Sequence, residues 1–389
     1  MRLLFVNSGL RFGGVETQLI GFILELRARG HEVALYLLTN DAPRQSELAE
    51  SGITIHTDDK RGKFDLGVLR RLRGVMRSWR PDLVHGFLFD GNLYARVAAL
   101  GLNIPVLNSE RSSGYSLRPL QKLVHWPTRG LAAGVVANSS AGVRQAGRLF
   151  ALSEERLHLA WNGINADAIR AVVRAPGPEY RQEFFNDTSV WMATLVGTVS
   201  EPKDYMLALS VAERLFQRDP RWRVVLVGAS FGAKLRYGNA TARASEGYAE
   251  RVESRYRSMV GKDKLIFAGQ RHDAVRIISQ SDVLFSTSLH EGFPNVVLEA
   301  MAVGTPVVST DYSDIRLILP NAWQVVSDRD ADALVDAMTT ARENRDSVGR
   351  DQEIWVQQYA TMAIATTRLL EVYAHYVSAA GGALRPSDS

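Results

Sequence analysis

Short apolar runs alternate with longer amphipathic stretches from one end of the chain to the other. In the first half, runs at 3–6, 33–37, 83–84, 105–107 and 134–137 have strand length and are bounded by Gly, Asn, Pro or His, which predicts parallel strands. Between them, 16–29, 66–79 and 93–100 carry apolar residues at helical spacing. Strand, helix, strand, repeated in this way, predicts an α/β doubly wound sheet of Rossmann type. The pattern stops at the polar, proline-containing stretch 174–188 and restarts with a strand at 191–196 and a helix at 204–218. Runs at 223–227, 265–268, 283–286 and 306–309 predict a second sheet of the same kind. Residues 232–262, rich in Arg, Gly, Ala and Glu, read as a loop plus a helix, and 380–389 as a frayed tail.

A chain of 389 residues suits two domains. Their expected bounds are 1–170 and 191–355, joined by a linker at 171–190, with a helix at 356–389 returning to the first domain. No window is apolar enough to span a membrane, and the opening apolar run meets Asn7, Ser8 and Gly9 rather than a cleavage site. The chain has no cysteine, which removes disulfides, thiol nucleophiles and Cys-based metal sites and fits a cytoplasmic, reducing home. The net charge of +4 hides an asymmetry: residues 1–165 hold 21 Lys and Arg against 14 Asp and Glu, a net +7, which leaves the remainder at −3. Basic residues of the first half are not interleaved with aromatic ones, so nucleic acid is not the expected partner.

The richest chemistry lies in 281–310. A strand at 283–286 leads through Ser288 to Pro294 into a helix that Asn295 is placed to cap, and Gly304 with Pro306 ends it. Glu291 stands before the helix and Glu299 about one turn inside it. Carboxylates accept hydrogen bonds from sugar and ribose hydroxyls, while the first amides of a helix favour a phosphate. An ordinary capped helix would need neither carboxylate at this spacing.

EGFPNVVLEAMAVGTPVV resembles the Glu, seven residues, Glu signature of the retaining glycosyltransferases of family 4. The resemblance runs through the chain: Gly13, Gly14 and Glu16 after the first strand, His85 at the third, Asn138 and Ser139 after a later one, then Asn162 to Asn165, the stretch from Leu195 to Asp204, and Phe267 to Asp273. It implies the GT-B fold, two Rossmann-like domains with a cleft between them, and no cofactor beyond a nucleotide-sugar donor such as a UDP-sugar or GDP-sugar. It further implies that His85, Lys203 and Glu291 serve catalysis. Donor binding would fall to Gly13, Gly14, Gly197, Thr198, Lys203, Arg271, Glu291, Gly292, Phe293, Pro294, Asn295, Val296 and Glu299, with Glu291 on the sugar and Glu299 on the ribose. Glu110, Arg111, Asn138, Ser139 and Asn162 would face a glycan or lipid-linked acceptor.

Physical reasons accompany these roles. Glycines let backbone approach a phosphate closely. Lys203 offers a point charge to a diphosphate leaving group, with Pro202 stiffening its loop. The family commonly has an arginine where this chain has Thr198, so Lys203 acts alone or Arg271 compensates. No Asp-x-Asp pair follows any of the strands expected above, and no metal is implied. Rival readings are a nucleotide-sugar epimerase, a phosphorylase, for which the chain is short, an NAD-dependent dehydrogenase, for which no G-x-G-x-x-G follows a strand, and an inactive nucleotide-sugar-binding subunit. The segment 66–80 carries Leu66, Leu69, Leu72, Met76 and Trp79 among Arg70, Arg71, Arg73, Arg77 and Arg80. It reads either as a peripheral contact with anionic membrane, at the inner face of the cytoplasmic membrane, or as ordinary packing on the sheet.

Overall fold

The computed structural model describes residues 1–112, 117–228 and 241–381. The expected loop at 232–240, positions 113–116 and the end of the tail lie outside the described residues. The chain divides into two compact units, Met1–Ile164 with the segment from Ala360, and Asn165–Tyr359. Among the described residues no helix is long and apolar enough to cross a membrane.

The first unit holds a seven-stranded sheet of β1 (Arg2–Asn7), β2 (Glu32–Leu37), β3 (Thr54–Thr57), β4 (Leu83–Gly86), β5 (Val106–Glu110), β6 (Gly134–Ala137) and β7 (Leu157–Leu159). Its order is β3-β2-β1-β4-β5-β6-β7, every neighbouring pair parallel. The continuous apolar run in β1 is needed because both faces are covered. Side chains alternate: Leu3 and Phe5 pack with Ile20 and Ile23 of helix Gly14–Ala28 and with Leu369 and Tyr373 of helix Met362–Ala379. Leu4 and Val6 pack on the opposite face with Val68, Leu72 and Met76.

That second cluster decides the basic stripe. Helix Leu66–Trp79 buries Val68, Leu72 and Met76 completely and Leu69 and Trp79 in part, so its apolar side is mostly core, with Leu66 left exposed at the first turn. Truncating Leu72 to Ala would cost about 2–5 kcal/mol. Arg71 is tied to Asp58 by two bonds of 2.8 Å, and Arg73 donates to the carbonyls of Ala98 and Leu100 at 2.7 Å. The expected membrane contact through 66–80 is therefore corrected to sheet packing.

The second unit has six parallel strands, β8 (Trp191–Val196), β9 (Trp222–Val227), β10 (Leu265–Gly269), β11 (Val283–Ser286), β12 (Val307–Thr310) and β13 (Val325–Val326), in the order β10-β9-β8-β11-β12-β13. The polar stretch expected to be bare connection contains helix Tyr180–Phe185. Tyr180 is buried with Met192, Val225, Val227 and Ile277, and its hydroxyl donates to Asp273 at 2.8 Å. In both sheets the strand order reverses beside the first strand, between β1 and β4 and between β8 and β11. Open α/β sheets bind ligands beyond the carboxyl ends of their strands at such a point.

Candidate active site

In the second unit, the loops leaving β8 and β11, the two strands at that reversal, meet each other. The Lys203 ammonium pairs with Glu291 Oε1, which also accepts from Ser288 Oγ at 2.9 Å. Among the described residues this is the one contact of that ammonium. Backbone fixes the pair: Thr287 Oγ1 donates to the Lys203 carbonyl at 2.8 Å and the Leu289 amide to the Pro202 carbonyl at 2.7 Å. Gly197 is seated against the lysine stem, where a Cβ would lie 3.1 Å from Cε. Gly228, at φ +86°, could not carry one, since it would meet the Gly197 carbonyl at 2.8 Å. Tyr312 lies beneath; burial, and then the charge of Glu291, push its phenol well above the ordinary range. The enclosed space here is only about 10 Å³, room for a water at most.

Helix Asn295–Ala302 starts immediately after this loop, and here the expected cap is corrected. Pro294 occupies the cap position without a side-chain bond, and Asn295 is the first helical residue. Proline can do so because the terminal amides have no intrahelical acceptor to lose. Gly292, Phe293 and Pro294 are buried, while Asn295 and Val296 are half-buried at the helix entrance. Glu299 follows one turn along. Burial pushes its carboxyl up to about 7.

Other expected donor residues sit elsewhere. Thr198 is half-buried in the loop after β8 and accepts at its carbonyl from Ser200 Oγ at 3.3 Å. Arg271 follows edge strand β10 and is consumed there: Nε and Nη2 donate to Asp273 at 2.8 and 2.7 Å, and Nη1 to Glu183 at 3.1 Å. These bonds hold helix Tyr180–Phe185 and do not bring Arg271 to the Lys203–Glu291 pair, so the expected compensation for Thr198 is corrected to a structural role. In the first unit, Gly13 and Gly14 are exposed at the start of helix Gly14–Ala28, with the Gly13 carbonyl accepting from the Thr17 amide and hydroxyl, each at 3.0 Å.

His85 requires the largest correction. It lies inside β4, not after it, and is 1% exposed. Its Nδ1 meets the Tyr373 hydroxyl at 2.6 Å and its Nε2 the Ser109 hydroxyl at 2.9 Å, so both ring nitrogens are taken. Burial, and then Arg111, hold its pKa well below the usual imidazole value. The residue fastens helix Met362–Ala379 to the sheet.

The chain of polar contacts continues outward. Arg111 Nε donates to Ser109 Oγ at 3.3 Å and Nη1 to Asn162 Oδ1 at 3.2 Å, while burial lowers its guanidinium to about 10. Glu110, Arg111, Asn138, Ser139 and Asn162 thus gather at the carboxyl ends of β5, β6 and β7. Ser139 caps helix Ser140–Phe150 through the Gly142 amide at 3.1 Å. Arg111 Nη2, Asn138 Oδ1 and both amide atoms of Asn108 are buried without a partner among the described residues. Unsatisfied buried polar atoms at strand ends call for a ligand or water. Arg111 also lines a cavity of about 250 Å³ with Phe89, Arg96, His125 and Phe150.

Sequence reasoning missed Ser288, Tyr312 and Arg96, while the stretch from Asn108 was expected to face an acceptor. Asn108, inside a strand, carried a signal: a polar residue in an otherwise apolar parallel strand must be satisfied or functional. Arg96 gave none, because its helix shows an ordinary mixture of residues. Among the described residues no three His, Asp or Glu side chains form a group able to hold a metal ion.

This architecture defines a class. The family described as Glycosyl transferases group 1 matches residues 177–357, and Glycosyltransferase Family 4 matches residues 12–168. The chain belongs to the family 4 glycosyltransferases, with the GT-B fold, and is a transferase. It is 26% identical over 344 residues to the 2-deoxystreptamine N-acetyl-D-glucosaminyltransferase of Streptomyces fradiae, covering 81% of this chain and 76% of that one. Over 296 residues it is 24% identical to the GDP-mannose:cellobiosyl-diphosphopolyprenol alpha-mannosyltransferase of Xanthomonas campestris, covering 74% and 70%. Among solved structures, Anabaena HepE in complex with UDP-glucose superposes with a TM-score of 0.77 at 16% identity, covering 96% of this chain and 100% of that one.

Proposed function

We propose that this protein is a retaining glycosyltransferase that moves a hexose or N-acetylhexosamine from a nucleotide-diphosphate sugar to a glycan or lipid-linked acceptor in cell-surface polysaccharide synthesis, on the cytoplasmic side. The observation that carries the reading is the Lys203–Glu291 pair at the strand reversal, with Glu299 one turn inside the helix that follows. Lys203 has donors left for phosphate oxygens, which suits a diphosphate leaving group. Glu291 accepts from the donor sugar's hydroxyls and Glu299 from the ribose. The Xanthomonas campestris relative, named for GDP-mannose and a diphosphopolyprenol acceptor, supports this donor and acceptor chemistry.

In the transfer, the acceptor oxygen forms a bond to the anomeric carbon on the face from which the nucleotide departs. The bond from that carbon to the phosphate oxygen breaks with its electron pair, and the acceptor's proton passes to the departing phosphate. Lys203 and the helix amides stabilise the charge, so the protein works by positioning and electrostatics, without a metal. The unsatisfied polar atoms around Arg111 and Asn138 suit an acceptor in the first unit. A thermal-shift screen of nucleotide sugars tests the reading. A ligand at a hundred times its dissociation constant stabilises by about 2.7 kcal/mol. Wild type should respond to one nucleotide class, and Lys203→Ala should respond far less. No response from wild type to any nucleotide sugar would refute it.

A further inference from the structure

A surface helix of a soluble domain ordinarily turns its apolar side inward. Helix Pro119–Thr128 does the reverse. Leu120, Leu123 and Trp126 recur on one side and are 44%, 70% and 58% exposed, and Leu131 just beyond is 37% exposed. Its polar side is the one anchored inside. His125 is buried, with Nε2 on the Leu149 carbonyl at 3.0 Å and Nδ1 3.2 Å from Arg96. Thr128 Oγ1 accepts from Arg96 at 2.9 Å. These bonds fix the rotation of the helix, so the exposed leucines and tryptophan cannot roll into the core.

The charged residues of this segment are all of one sign. Arg118 and Lys122 are exposed, Arg129 stacks its guanidinium 4.1 Å from the Trp126 ring, and 117–131 contains no Asp or Glu. An apolar ridge with an interfacial tryptophan and flanking cations matches the surface of an anionic bilayer. A second copy of this chain would bring like charges together with no acid in the segment to pair them, which disfavours self-association.

We propose that helix Pro119–Thr128 is an interfacial membrane helix, seating Leu120, Leu123 and Trp126 at the acyl boundary and Arg118, Lys122 and Arg129 against lipid phosphates. The inference goes beyond the transferase reading and does not depend on which sugar is moved. It differs from the corrected expectation for 66–80, where the apolar side is mostly core.

The full chain should float with vesicles of phosphatidylcholine and phosphatidylglycerol, less so as salt rises, and not with phosphatidylcholine alone. Leu123→Glu combined with Trp126→Glu should lower the bound fraction at least about tenfold while keeping the thermal midpoint and nucleotide-sugar hydrolysis. Because the chain has no cysteine, a single Leu123→Cys site can carry an environment-sensitive dye, with Leu66→Cys, 57% exposed, as reference. The dye at position 123 should shift to the blue on anionic vesicles and the dye at 66 should not. Failure of wild type to float, equal flotation of the double variant, a signal at 66 rather than 123, or a dimer that Leu123→Glu disperses would each overturn the proposal. Intact hydrolysis without flotation would do so while leaving the transferase reading standing.

Discussion

Replacing Glu299 with Gln leaves the size of the side chain nearly unchanged and removes its titration. Its carboxyl is pushed from an ordinary 4.5 to about 7 by burial, so the folded protein favours the protonated form. Between those values the folded chain binds more protons than the unfolded one, and this group's contribution to stability falls as pH rises through the window. At about 1.4 kcal/mol per pH unit the full difference is roughly 3 kcal/mol. Because Glu299 keeps part of its solvent access, about 1–3 kcal/mol is the expected range. Urea denaturation of wild type and Glu299→Gln from about pH 5 to about pH 8, at one ionic strength, isolates this group from other titrations by difference. The variant should match wild type at the acid end and be the more stable one above about pH 7. Ribose hydroxyls donating to the carboxylate would draw it toward ionisation, so nucleotide binding near neutral pH should release a proton from wild type and not from the variant. Parallel stability curves across the window would refute the burial argument, and equal proton release would refute the ribose assignment.

Three further outcomes follow from the same geometry. His85→Ala should cost about 2–4 kcal/mol of stability, because it leaves the Tyr373 and Ser109 hydroxyls unpaired, with nucleotide affinity by calorimetry unchanged; near-normal stability with lost turnover would return the imidazole to the chemistry. Arg271→Ala should lower the thermal midpoint by loosening helix Tyr180–Phe185 and leave nucleotide affinity within about threefold, whereas a larger loss would place the guanidinium on the donor. Turnover should persist in excess EDTA, and a loss that magnesium or manganese restores would contradict charge neutralisation by Lys203 and amides.

Much of the fold is legible because parallel strands buried on both faces write themselves as unbroken apolar runs; β8 and β11 and helix Leu66–Trp79 have the bounds the pattern predicts. Three edge strands are not legible in this way, unlike the edge strand β10. Thr54–Thr57 sets Ile and His between two exposed Thr on the rim of its sheet, and Leu157–Leu159 and Val325–Val326 are too short to show a period. Helix Tyr180–Phe185 hid among polar neighbours because its burial rests on one aromatic face, which single-residue composition does not reveal. Glu291, Glu299 and Lys203 were legible as types at a spacing. The contact between Lys203 and Glu291 was not, since it depends on β8 and β11 being neighbours despite the strands between them in sequence. His85 shows the opposite failure: a titratable residue at a strand reads as chemistry until both ring nitrogens are found bonded to hydroxyls.

Retention at the anomeric carbon can be read by proton NMR of the first sugar released when the protein slowly hydrolyses its preferred nucleotide sugar without acceptor. Retaining transfer keeps the donor's anomeric configuration in that first product, together with release of the nucleoside diphosphate, and Lys203→Ala should abolish both. A first product of inverted configuration, or equal release by Lys203→Ala, would contradict the proposed transfer.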